Sequence, residues 1–192
     1  MTRILLVDDY PVVLEGLKHI LSEAIPDGEF GAAGTAAEAM RMFRSAKWSL
    51  VVLDVSLPDG SGLDVLKQMR SIRPQTPVLV LSMYPEDQFA VRLLRAGASG
   101  YLTKKAAAQD LVTAVRKVRS GGKYVSPTLA ERLADEIRTG AARAPHETLS
   151  DREYLVFRML SGGQTVKQIA NSSESRPRRS APTGTGCSRR WG

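Results

Sequence analysis

Residues 49–62 read SLVVLDVSLPDGSG. A near-continuous apolar run, Val51–Leu53, ends on the carboxylate Asp54 and gives way at once to a Pro/Gly turn. Runs of this kind suit strands buried on both faces of a parallel sheet, which show no alternation of apolar and polar residues. The same design recurs on either side. Arg3–Val7 (RILLV) closes on Asp8 and Asp9, Val78–Leu81 (VLVL) closes on Ser82, and Ser99–Leu102 (SGYL) is followed after Thr103 by Lys104. A fifth, weaker strand is expected at Glu29–Ala33. Amphipathic stretches fill the intervals: Pro11–Glu23, Ala36–Arg44 behind Thr35 as N-cap, Leu63–Ile72, Glu86–Arg95 and Ala107–Arg119. Strand and helix alternating five times predict an α/β domain, a doubly wound five-stranded parallel sheet over residues 1–120.

In such sheets ligands bind beyond the C-terminal ends of the strands. That rule brings Asp8, Asp9, Asp54, Ser82 and Lys104 to one edge. Clustered carboxylates repel one another unless a cation sits among them, and hard oxygen donors at a shallow cleft suit Mg²⁺. A carboxylate is also a nucleophile towards phosphorus, with a metal, an ammonium and a hydroxyl available to the phosphoryl oxygens.

These pieces, LLVDD (5–9), LDVSLPDGSG (53–62), LVLS (79–82) and GYLTK (100–104), resemble the receiver domain of two-component response regulators, which has the CheY-like, flavodoxin-type fold. The resemblance implies Asp54 as phosphoacceptor. It implies Mg²⁺ held by Asp9 directly, by Asp8 through water, by Asp54, and by the backbone carbonyl of Ser56. It makes Ser82 the switch hydroxyl, Tyr101 the switch aromatic and Lys104 the phosphate partner. Pro58 and Gly62 match the turn after the acceptor. Many receivers carry Pro after the lysine; this chain has Lys105. Haloacid-dehalogenase-like phosphatases also use a strand-end Asp, but after their first strand in a DxD pattern; here the first strand ends in Asp8–Asp9–Tyr10.

Beyond residue 120 the alternation stops. Residues 121–148 read as a linker carrying one isolated amphipathic helix, Pro127–Arg138, with Leu129, Leu133 and Ile137 on its stripe. Residues 149–170, LSDREYLVFRMLSGGQTVKQIA, resemble the opening of the LuxR/NarL/FixJ-type helix-turn-helix domain, with Ser150 and Glu153 as a capping box. The resemblance implies a recognition helix next. The chain instead continues as NSSESRPRRSAPTGTGCSRRWG (171–192), with five Arg, one Glu and none of Leu, Ile, Val, Met or Phe. The all-α domain is therefore expected to be incomplete, through truncation or a frameshift near residue 171. The tail is expected to be a disordered basic segment. The formal net charge of +7 is weak evidence for nucleic acid, because four of those charges belong to that tail.

Other classes fall away. No apolar run approaches the ~20 residues that span a bilayer, and the apolar N-terminal run is too short for a secretory signal. One cysteine, Cys187, excludes an internal disulfide, and His19 and His146 are too few for a histidine metal cluster. The expectation is a cytoplasmic response regulator that is not an enzyme. Its expected partners are a sensor histidine kinase, a second copy of itself and promoter DNA, the last made doubtful by the missing helix. The alternative is a receiver that works without DNA, as a phosphate sink or a partner-binding module.

Overall fold

The computed structural model describes residues 2–139 and Glu153. The chain divides after Arg152 into two units, Met1–Arg152 and Glu153–Gly192; the fold below is that of the first. The helix-turn-helix opening (149–170, apart from Glu153), the tail (171–192) and the linker from 140 onward lie outside the described residues.

The elements in chain order are β1 (Thr2–Val7), α1 (Pro11–Ala24), β2 (Gly28–Ala33), α2 (Ala36–Ser45), β3 (Leu50–Asp54), β4 (Ser56–Leu57), β5 (Gly60–Ser61), α3 (Gly62–Ile72), β6 (Val78–Ser82), α4 (Glu86–Arg95), β7 (Gly100–Thr103), α5 (Lys104–Arg119) and α6 (Pro127–Thr139). Five strands form one sheet in the order β2-β1-β3-β6-β7, every pairing parallel. The expected doubly wound sheet is present, including the weakly signalled β2.

β3 and β6 are buried at every residue, as their unbroken apolar sequence requires. On one face Ile4, Leu6, Leu50, Val52, Leu79 and Leu81 pack with Leu17 and Leu21 of α1 and Leu111, Val115 and Val118 of α5. Strand alternation sends Leu5, Val7, Val51, Leu53, Val78 and Val80 to the other face. There the buried residues of α2 (Phe43), α3 (Leu66, Met69) and α4 (Phe89, Leu93) complete the core.

Three details depart from the sequence reading. The turn after Asp54 is a two-residue antiparallel hairpin, with Ser56 opposite Ser61 and Leu57 opposite Gly60. α5 starts at Lys104 rather than Ala107, because Thr103 Oγ1 accepts the Ala106 N–H at 3.2 Å and caps the helix earlier. The linker helix α6 is not isolated: Leu129 is fully buried and α6 packs on α4. The side chain of Ile137, expected on its stripe, lies outside the described residues.

Candidate functional site

The parallel register sets the site. Asp54 is opposite Leu81, and Ser82, one residue on, is opposite Thr103. Asp8 follows directly on β1, its N–H donating to the Ala33 carbonyl at 3.1 Å. Four adjacent strand ends thus deliver Asp8, Asp54, Ser82 and Lys104 side by side. Gly62 closes the floor: its N–H donates to the Val55 carbonyl at 2.8 Å. A Cβ there would lie 2.5 Å from the Asp54 carbonyl oxygen and 2.6 Å from Val55 Cα. The glycine is therefore demanded by a close backbone approach.

Asp8 and Ser82 are fully buried and Asp54 nearly so. Lys104 Nζ bridges the two acids, 2.5 Å from Asp8 Oδ2 and 3.0 Å from Asp54 Oδ2. Asp54 Oδ1 accepts the Ser56 N–H at 3.2 Å, so each oxygen of the central carboxylate has one partner. Burial, reinforced by the negative charge of Asp8, pushes the Asp54 carboxyl up from 3.8 to about 6, against the pull of Lys104 and the Ser56 N–H. Burial alone would lower the Lys104 ammonium, but Asp54 and Asp8 together outweigh it and hold it above the usual lysine value.

One carboxylate oxygen from each of Asp8, Asp9 and Asp54 lies within 4.8 Å of the other two. Lys104 supplies one positive charge to three carboxyls. Asp9 Oδ1 is buried without a hydrogen-bond partner among the described residues, a costly arrangement unless a cation takes that oxygen. The donor set fits a hard divalent cation of the Mg²⁺ type. Ser56 stands in the hairpin, beside the central acid.

The two switch candidates meet at one residue. Ser82 Oγ accepts the Tyr84 N–H at 3.1 Å, and the Tyr101 hydroxyl donates to the Tyr84 carbonyl at 2.7 Å. Tyr101 is fully buried, so its ring points inward in this structure. Reading along the strand ends did not single out Tyr84, which contributes through its backbone. Tyr10 was also missed: its N–H donates to Asp8 Oδ1 at 3.0 Å, and Lys104 Nζ lies 5.6 Å from its ring centroid. Its place directly after Asp9 was the available signal. His19 is exposed, 3.5 Å from Glu23 on the same helix and remote in sequence from every strand end.

Residues 4–116 match the response regulator receiver domain family. The chain belongs to that family. The chain is similar to response regulator GacA of Pseudomonas viridiflava, 33% identical over 89% of this chain and 80% of the relative. Among solved structures it is similar to a LuxR-family two-component response regulator from Aurantimonas sp. SI85-9A1, with 34% identity and a TM-score of 0.65, over 72% of this chain and 99% of that one. The receiver also resembles response regulator TrrA of Thermotoga maritima in complex with Mg²⁺-BeF, with 32% identity and a TM-score of 0.56, over 62% of this chain and 99% of that one. Among the described residues no helix is long and apolar enough to cross a membrane.

Proposed function

We propose that Asp54 accepts a phosphoryl group from the phosphohistidine of a sensor kinase or from a small phosphodonor, with Mg²⁺ held by Asp8, Asp9, Asp54 and the Ser56 carbonyl. The observation that carries this reading is the central carboxylate paired with an ammonium and flanked by two further acids, one with an orphaned buried oxygen. A carboxyl that titrates near 6 is mostly ionised at neutral pH, so the nucleophile is available. A carboxylate oxygen forms the bond to phosphorus as the bond from phosphorus to the donor breaks, and the displaced imidazole takes up a proton from solvent. The cation neutralises charge on the phosphoryl oxygens when bound. Lys104, already 3.0 Å from Asp54 Oδ2, is placed to pair with the new phosphate, and Ser82 to give it a hydroxyl. The similarity to a receiver solved with Mg²⁺-BeF supports this assignment.

The signal then passes to transcription through the LuxR-type region, with a second copy of the chain and promoter DNA as partners. The composition of residues 171–192 favours a second reading, in which the receiver acts without sequence-specific DNA binding, as a phosphoryl sink or a competitor for the kinase. Acetyl phosphate with Mg²⁺, followed by intact mass, tests the acceptor. Wild type gains one phosphoryl group and Asp54→Ala gains none; an equal label on the variant refutes the assignment. A gel shift at moderate salt separates the two readings, since tight sequence-specific binding excludes the second.

A further inference from the structure

The residues after α5 do not leave the receiver. Tyr124 lies beside β7 as a short extension of the sheet: its N–H donates to the Ser99 carbonyl at 3.1 Å, and its carbonyl accepts the Tyr101 N–H at 3.0 Å. The Tyr124 side chain packs against the core; burial, then the nearby Asp110 carboxylate, holds that phenol above its ordinary value. Lys123 Nζ donates to the Ala98 carbonyl at 3.0 Å. Two residues past Tyr124, Ser126 Oγ accepts the Leu129 N–H at 3.1 Å as the cap of α6. The same hydroxyl donates to Glu86 Oε2, on the first residue of α4. Leu129 is buried. β7 is shaped to receive this segment: a Cβ on Gly100 would lie 2.7 Å from the Tyr124 carbonyl oxygen.

The segment also shares its anchors with the pocket. Tyr101 bonds Tyr124 through its main chain and the Tyr84 carbonyl through its hydroxyl. The Tyr84 N–H in turn holds Ser82 Oγ. Two residues after Tyr84 the chain enters α4 at Glu86, the partner of Ser126. The loop 83–85 therefore touches Ser82 at one end and carries a strap anchor at the other.

We infer that residues 123–139 form a strap integral to the receiver, latched by Tyr124 on β7 and by Ser126 on Glu86, and released from α4 when Ser82 leaves the Tyr84 N–H for a phosphoryl group on Asp54. The release rests on the phosphoacceptor reading above. A Ser82 oxygen that turns to the phosphoryl group gives up the Tyr84 N–H and frees the loop 83–85. Movement of that loop carries Glu86 with it. Ser126 then loses its acceptor, and α6 loses the contact that fixes its first turn against α4.

Hydrogen exchange on the full chain, read by peptide, tests both halves. In Mg²⁺ alone, Glu86→Ala, which removes the latch and leaves the Ser126 cap on the Leu129 N–H in place, raises exchange in peptides of 124–139 by about fivefold or more, the factor that one hydrogen bond is worth, and leaves 49–62 unchanged. Adding beryllofluoride to wild type slows exchange around Asp54 and raises it in 124–139 by a similar factor. Unchanged exchange in the strap of Glu86→Ala overturns the latch. Slowing at 49–62 with an unchanged strap overturns the release while leaving the phosphoacceptor reading intact. No slowing at 49–62 refutes that reading, and the release with it, and leaves the latch to the Glu86→Ala result.

Discussion

Replacing Asp54 by Asn should stabilise this protein at neutral pH, although Asp54 is the proposed phosphoacceptor. The carboxyl is nearly buried, beside the Asp8 carboxylate, and its pKa rises from 3.8 to about 6 even with Lys104 at hand. At about 1.36 kcal/mol per unit, ionising Asp54 in the folded state costs about 3 kcal/mol relative to the unfolded chain. The sign follows from proton counts. Below 3.8 both states hold the proton and Asp54 contributes no difference. Between 3.8 and about 6 the unfolded chain releases its proton while the folded one keeps it, so stability falls as pH rises. Above about 6 the full penalty is in force. Asparagine resembles the protonated carboxyl and does not titrate. Asp54→Asn, in chelator and without divalent cation, should therefore gain about 3 kcal/mol above pH ~7, or roughly 10 °C in Tm for a domain of this size. The gain should vanish towards pH ~4. Urea unfolding of both proteins across that range measures it. A gain independent of pH, or none at neutral pH, would show that the buried Asp54 carboxylate carries no such penalty.

Two further outcomes follow from the same geometry. Asp9→Asn removes one carboxylate charge from the proposed cation site and should weaken Mg²⁺ binding by at least about tenfold, the lower bound for outer-shell changes at metal sites; titration calorimetry that finds equal affinity would remove Asp9 from the ligand set. Gly62→Ala drives a methyl into the Asp54 carbonyl and Val55 Cα, both backbone, and should cost about 1–3 kcal/mol, read as a lower urea midpoint.

The sheet and its acidic edge were legible because both arise from local pattern. RILLV, LVVL and VLVL have no polar face to expose, so they had to be central strands, and their closing residues had to share an edge. What escaped depends on partners distant in sequence. Asp59 reads as part of a turn, yet its carboxylate caps α2, accepting the Ala36 and Ala37 N–H groups at 2.7 and 3.0 Å. Tyr84 acts through main-chain atoms that any residue possesses. The helix of the strap was legible, but its attachment was not, because Tyr124 and Ser126 sit in a stretch without periodicity and only the adjoining β7 and α4 give those residues their partners. Gly100 was the one local hint, a glycine inside a strand pattern where another backbone approaches.

Among several acids at one edge, Asp54 is the one proposed to take the phosphoryl group. Borohydride reduces an aspartyl phosphate to homoserine, which tandem mass spectrometry locates. After acetyl phosphate and Mg²⁺, homoserine is expected at position 54 and at neither 8 nor 9. Homoserine at either of those positions, with Asp54 intact, would contradict that assignment.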